Sequence, residues 1–272
     1  MTSVDGLAAV ASSGFKLSLP HSTGMQSSLP ILKKNYKFTK VFFWGKLTGL
    51  KGDYLIAKGV SESFATTKFF FCQDGVSWAQ LPPVTAEIKE LVDKASSYGL
   101  QLSGDISSSI EVPAEALPEG EEAPEEPAEP KFATEIMRIA VMVESIDSEC
   151  AMVPFGAIMK KADHSVVESP TFTGLGYDAA VSSASYVFLN QPKDVSVLAD
   201  ALTASTDFLT PCSEIVPSGA LTCKFDEAST TVTWRSLVYP GFFAYAIVGA
   251  PAYGYCYCGT GLKNADIAFM LP

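Results

Sequence analysis

Ser236-Leu-Val-Tyr-Pro-Gly-Phe-Phe-Ala-Tyr-Ala-Ile-Val-Gly-Ala-Pro-Ala-Tyr-Gly-Tyr-Cys-Tyr-Cys-Gly-Thr-Gly-Leu262 is the stretch on which the fold turns. It carries no Asp, Glu, Lys, Arg or His and is held between Arg235 and Lys263. About twenty apolar residues can span a bilayer as a helix. This run is interrupted by Pro240 and Pro251 and by five glycines, and Tyr253, Tyr255 and Tyr257 recur at every second residue. Period two is the repeat of a strand. Breaks inside hydrocarbon would leave unpaired backbone groups, so the run makes a poor membrane helix. It reads as two or three buried strands joined by Pro and Gly turns.

Strands extend outward from there. Ala220–Phe225 and Thr230–Trp234 form a hairpin around Asp226–Ser229, because Thr and Val suit a pleated surface. In the first half, Lys40-Val-Phe-Phe-Trp-Gly45, Tyr54-Leu-Ile-Ala57 and Lys68-Phe-Phe-Phe-Cys72 are strands, and Asp74-Gly75 is a hairpin-type turn leading to Trp78. Pro82-Pro83 ends this meander. Thr85 can cap a helix over Ala86–Tyr98, where Ile88, Leu91, Val92 and Ala95 share one face and Gly99 suits the end. Phe132–Ile146 fits strand or short helix equally, and Cys150–Met159 is strand–turn–strand. Gly176–Leu189 and Val195–Thr203 pattern as helices. Strand groups alternating with isolated helices give an α+β class, an antiparallel sheet-rich core rather than a doubly wound parallel sheet.

Composition divides the 272 residues. Residues 1–30, rich in Ser, Ala and Gly, read as a flexible N-terminal arm, ordered only where something holds it. Residues 111–130 hold eight Glu, five Pro and no Lys, Arg or Asp, the composition of an extended, disordered insert. Residues 31–110 and 131–272 are expected to make one globular domain. The net charge of −11 falls to −3 without the insert, so the folded parts are near neutral. An acidic chain has no field for a phosphate backbone, which argues against nucleic acid as a partner. The N-terminus lacks the basic start and apolar core of a secretory signal. Without such a signal, the six cysteines (72, 150, 212, 223, 256, 258) read as reduced thiols in an intracellular protein.

Catalytic signatures fail on inspection. Gly45-Lys46 lacks the following Ser or Thr and the upstream glycine of a P-loop. Gly259-Thr-Gly261 lacks the third glycine of a dinucleotide fingerprint. Of two histidines, His21 lies in the arm and His164 follows Asp163, a combination that more often marks a polar turn. Cys256-x-Cys258 has no second ligand pair for zinc. No catalytic residue, cofactor or metal is therefore expected. Trp44, Trp78 and Trp234 suit core packing, with partner docking as the sharper alternative.

Two stretches carry a resemblance. Val41-Phe-Phe-Trp-Gly-Lys-Leu-Thr-Gly-Leu-Lys-Gly-Asp-Tyr-Leu-Ile-Ala-Lys-Gly59 resembles the Phe-Trp-Gly-Lys-x-x-Gly…Asp-Tyr-x-Ile-Ala pattern of the radial spoke head proteins of motile cilia and flagella. Arg235–Gly241, Tyr253–Leu271 and Val153-Pro-Phe-Gly156 are similar to a short member of that family; spoke head proteins 4 and 6 share the first pattern but run longer. The resemblance spans about 31–110 and 131–272 and leaves out the arm and the insert. It implies a non-enzymatic structural subunit of the axonemal radial spoke head, which faces the central pair apparatus and relays signals to dynein. It further implies direct packing against proteins 4 and 6, an assembly including proteins 1 and 10, transient contact with the central pair, and no membrane. Its motif positions here are Trp44, Gly45, Gly52, Asp53, Tyr54, Pro240, Gly241, Tyr253, Gly254, Tyr255, Gly259 and Gly261, read as turn and sheet-packing residues. Two other readings stay open: an enzyme or small-molecule carrier using the His164 region or the Gly259–Gly261 loop, and an unrelated cytosolic adaptor.

Overall fold

The computed structural model describes residues 11, 14, 17–64, 66–96, 101–112, 131–161, 165–189, 209–215 and 217–270. His164, the Val195–Thr203 segment, Gly99 and most of the Glu/Pro insert lie outside the described residues.

A helix, α1 (Leu19–Asn35), leads into a meander of β1 (Lys40–Leu47), β2 (Tyr54–Val60), β3 (Thr67–Cys72) and β4 (Ala79–Gln80). Helix α2 (Ala86–Ser96) and the hairpin β5 (Ser109–Val112) and β6 (Lys131–Thr134) follow, then α3 (Glu135–Cys150). The second half contains β7 (Met152–Pro154), β8 (Ile158–Lys160), β9 (Val166–Glu168), α4 (Tyr177–Val181), β10 (Tyr186–Leu189) and β11 (Leu209–Pro211). It ends in β12 (Leu221–Asp226), β13 (Thr231–Ser236), β14 (Phe242–Ile247), β15 (Tyr253–Gly259) and the short α5 (Ile267–Met270). Strands from both halves share one eight-stranded sheet in the order β12-β13-β14-β15-β1-β2-β3-β4. Its pairings are antiparallel except β1 with β15, which run parallel with Gly45 opposite Tyr257. The fold is thus α+β with a large, mainly antiparallel sheet, and the uncharged run supplies β14 and β15.

The period-two pattern sorts side chains to two covered faces. Phe43, Leu55, Ala57, Phe70 and Cys256 pack under α1 with Met25, Leu29 and Leu32. Trp44, Tyr54, Ile56, Tyr255 and Tyr257 face α3, packing with Ile139, Val143 and Ile146. Because both faces are covered, all seven residues of β2 are buried. A bulge at Trp44 shifts the β1–β2 register between Phe43 and Gly45, which bends the strand where it meets β15.

Several elements depart from the sequence reading. Helix α1 crosses residue 30, where composition placed the end of the arm. Its weak amphipathicity, Gly24 and the internal Pro30 hide it, yet Ser18 caps it and Met25, Leu29 and Leu32 are held on the sheet. The 132–146 ambiguity resolves into both states: β6 ends at Thr134, whose hydroxyl accepts from the Met137 N–H at 3.4 Å and starts α3. Gly176–Leu189 is not one helix. It holds α4, a single turn at Ser183–Ser185, and then β10, all four of whose residues are buried between β7 and β11. Tertiary burial of Tyr186-Val-Phe-Leu189 overrides the local alanine pattern. The strands expected in Cys150–Met159 exist as β7 and β8, but they pair with β10 and β9 rather than with each other.

Candidate functional site

The two halves of the motif meet at the β1–β15 seam. A Cβ on Gly45 would overlap the Tyr257 carbonyl oxygen and stand 2.8 Å from its nitrogen. Gly241, at φ 103°, accepts from the Cys258 N–H at 2.7 Å, and any Cβ there would collide with the Cys258 carbonyl. A Cβ on Gly259 would come 2.6 Å from the Pro240 carbonyl oxygen. Gly261 donates its N–H to the Tyr257 hydroxyl at 2.8 Å, and the Gly259 carbonyl accepts from the Thr48 N–H at 2.9 Å. The Gly259–Gly261 loop is therefore tied inward to the sheet. Gly254 lies within β15 opposite Tyr245. Tyr253 meets Phe172 edge-on at 5.7 Å.

Gly52 and Asp53 sit in the β1–β2 connection. Gly52 packs against Gly104, where a side chain would strike the Gly52 backbone. Asp53 pairs with Lys46 at 2.9 Å. Tyr54 donates its hydroxyl to Glu135 at 3.2 Å, and burial with the adjacent carboxylate pushes its pKa up. Glu135 also accepts from the Gly104 N–H at 2.9 Å and lies 3.7 Å from Arg138, both side chains being buried.

At the centre of the α3 face is a charged group the sequence reading did not single out. Lys58, 1% exposed, reaches Asp147 on α3 at 2.6 Å. The other Asp147 oxygen accepts from the Trp44 indole at 3.0 Å and the Tyr255 hydroxyl at 2.8 Å. Lys58 also donates to the Tyr255 oxygen at 3.2 Å and lies 5.4 Å from the Phe69 ring centre. Burial pushes the Lys58 ammonium down from its ordinary value, with Asp147 acting against it. Burial, then Asp147, pushes the Tyr255 phenol well up. Trp44 and Tyr255, from the two separate motif stretches, thus share one carboxylate. The visible signal was a lysine inside an otherwise apolar strand, Tyr54-Leu-Ile-Ala-Lys-Gly-Val60, which demands a buried partner. Nothing local marks Asp147 as that partner. Chemically the network is a lock: both charges are neutralised and out of reach of solvent.

His21 lies on α1, where its backbone packs against Gly75. Cys256 and Cys258 share the α1 face, and burial pushes the Cys256 thiol up to about 12, the state of an inert core thiol. Among the described residues no group of three or more His, Cys, Asp and Glu stands ready to hold a metal ion, and no helix is long and apolar enough to cross a membrane. A groove of roughly 480 Å³ beside α5 is lined by Glu149, Cys150, Ser236, Lys263 and Asn264 among others. Two of its charged groups pair with each other: Lys263 meets Glu149 at 2.6 Å, and the Tyr239 hydroxyl donates to Glu149 at 3.0 Å.

No family model matches the chain. Individual relatives do. The chain is 35% identical to the zebrafish (Danio rerio) radial spoke head protein 9 homolog, over 96% of this chain and 95% of the relative. It is 33% identical to the Bos taurus homolog and 32% identical to the human one, each over 95% of both chains. With likeness of that degree running through both halves of the shared sheet, the chain belongs to the radial spoke head protein 9 family.

Proposed function

We propose that this protein is a non-enzymatic structural subunit of the axonemal radial spoke head in motile cilia or flagella. In this reading it packs directly against spoke head proteins 4 and 6, within a head that includes proteins 1 and 10. There it supports the relay of central pair signals to dynein. The observation that carries the proposal is the near full-length likeness to proteins named radial spoke head protein 9. The chemistry is in keeping with it. The ionisable groups at the heart of the fold are locked in pairs, Lys58 with Asp147 and Glu135 with Arg138, which suits a rigid building block. The motif residues from Trp44 to Gly261 then serve to close the sheet rather than to touch a substrate.

The test is purification from detergent-extracted, salt-washed axonemes through a tag at residue 272, read by mass spectrometry. Recovery of proteins 4 and 6 in fixed stoichiometry is the expected result. A tagged chain that stays alone in the soluble cell-body fraction would overturn the proposal. Excising 113–130 and rescuing a mutant then asks what the glutamates do. Normal assembly with an altered beat supports glutamates that repel an acidic central pair surface and keep that contact transient, and wholly normal swimming makes them a solvated linker.

A further inference from the structure

Charge is distributed unevenly along this chain. Residues 6–52 contain seven lysines and no Asp or Glu, within a protein of net charge −11. Three of the seven have carboxylate partners: Lys40 with Glu168, Lys46 with Asp53 and Lys51 with Asp105. Lys33, Lys34 and Lys37, at the C-terminal end of α1, are exposed, and none has a carboxylate within 4 Å among the described residues. The fold adds a fourth. Tyr36 packs edge-on against Phe70 of β3 at 4.7 Å and stacks on Phe38 at 5.8 Å. Lys68 lies two residues before Phe70, on the same face of the strand, opposite Gly59, whose missing side chain is replaced by the Phe38 ring. Lys68 too is exposed and has no carboxylate partner within 4 Å among the described residues. Four exposed lysines, separated in sequence by up to thirty-five residues, are therefore carried by the two segments that the Tyr36–Phe70 contact brings together.

The usual role of lysines in a last helical turn is to face the negative end of the helix dipole. That accounts for Lys33 and Lys34. It accounts for neither Lys68, on a strand, nor the two exposed apolar side chains of the same segment: Tyr36 is 43% exposed and Ile31, five residues earlier on α1, is 59% exposed. Apolar anchors ringed by like charges are the makings of a recognition surface.

We propose that this end of α1, with Lys33, Lys34, Lys37 and Lys68 around Tyr36 and Ile31, docks an acidic peptide segment of a partner protein. The segment carries several Glu or Asp residues and at least one apolar side chain for Ile31 and Tyr36. The charge of the whole molecule selects this occupant over longer polyanions. A duplex or an anionic membrane extends past the patch onto a surface that offers no net positive charge, since the chain without the 111–130 insert carries −3, whereas a short acidic segment meets only the local lysines. The proposal is independent of the spoke head reading, since it concerns the chemistry of the partner and not its identity.

The experiment uses the full chain and a fluorescein-labelled Glu-rich peptide containing one Leu, followed by anisotropy at low and physiological salt. Binding that weakens with salt is expected, and Lys33→Ala with Lys34→Ala should raise Kd roughly tenfold. Lys68→Ala should add to that loss, and Lys224→Ala, on β12 at the opposite edge of the sheet, should leave Kd unchanged. All four sites are exposed, so circular dichroism should show an intact fold throughout. Three results would overturn the proposal. One is equal binding of a peptide with Gln in place of Glu. Another is tighter binding of duplex DNA or anionic vesicles. The third is a sharp gain in peptide affinity on deleting 113–130, which would mean that the chain's own glutamates fill the patch.

Discussion

Gly45 on β1 and Tyr257 on β15 face each other across the parallel pairing of the sheet, with no room for a side chain between their backbones. Gly45→Ala is therefore expected to force the two strands apart at the seam. A cost of about 3 kcal/mol is anticipated, at the upper end for overpacking, because the obstacle is backbone that cannot rotate away. Urea unfolding of the pair of proteins measures it. An unchanged midpoint would show that the seam is looser than its geometry.

Lys58 and Asp147 are expected to be worth far more than a surface pair when broken. Lys58→Met leaves a buried carboxylate without its ammonium partner, and a loss of about 3–5 kcal/mol is the typical result. Asp147→Asn strands the ammonium in the same way. The double variant should be more stable than the two losses added together, since it leaves no lone charge. Additive losses in a double-mutant cycle would mean that the two groups do not interact.

Alkaline pH should unfold this protein early. Burial pushes the thiols of Cys72, Cys150, Cys212 and Cys256 up to about 12, from an ordinary value of 9. A raised folded value means that the unfolded chain loses its protons first. The stabilisation is complete below pH 9 and is lost progressively as pH rises from 9 toward 12, by up to about 1.4 kcal/mol per thiol per unit. Denaturation midpoints at pH 8 and pH 10.5 test this, in reducing buffer. Cys256→Ala should flatten the fall, and an equally steep fall in that variant would remove Cys256 from the account.

Met25 is the buried anchor of α1, with none of its surface exposed. Met25→Ala removes most of that contact and should cost about 2–5 kcal/mol if the helix unfolds with the rest of the protein. Hydrogen exchange reads the effect locally: amides of residues 19–35 should exchange faster than those of β2. Equal protection of the two would show that α1 is not held through Met25.

The strands were legible because their signals are local. Alternating tyrosines in 253–257 mark which side chains share a face, and Asp226–Ser229 between Thr- and Val-rich runs marks a hairpin. Helix α1 was not legible, because its helical state depends on burial of Met25, Leu29 and Leu32 on a sheet built later in the chain. The same holds for β10, where alanines nearby suggested helix and burial between two strands made the opposite choice. For the site, the positions needing glycine could be named in advance, but not the distances that make them necessary. The Lys58–Asp147 pair joins residues eighty-nine positions apart, and no spacing rule connects them.

The parallel pairing of β1 with β15 also sets a schedule for biosynthesis. Strand β1 is complete by residue 47, yet its second neighbour extends to residue 259. On the ribosome, the N-terminal meander must wait with one flank bare until residue 259 has emerged. A bare flank is where another chain can pair. Truncations that remove the last strand, however small a share of the protein they delete, are therefore expected to yield aggregates rather than a shortened subunit. Released chains that end before and after β15 should differ sharply in chaperone occupancy.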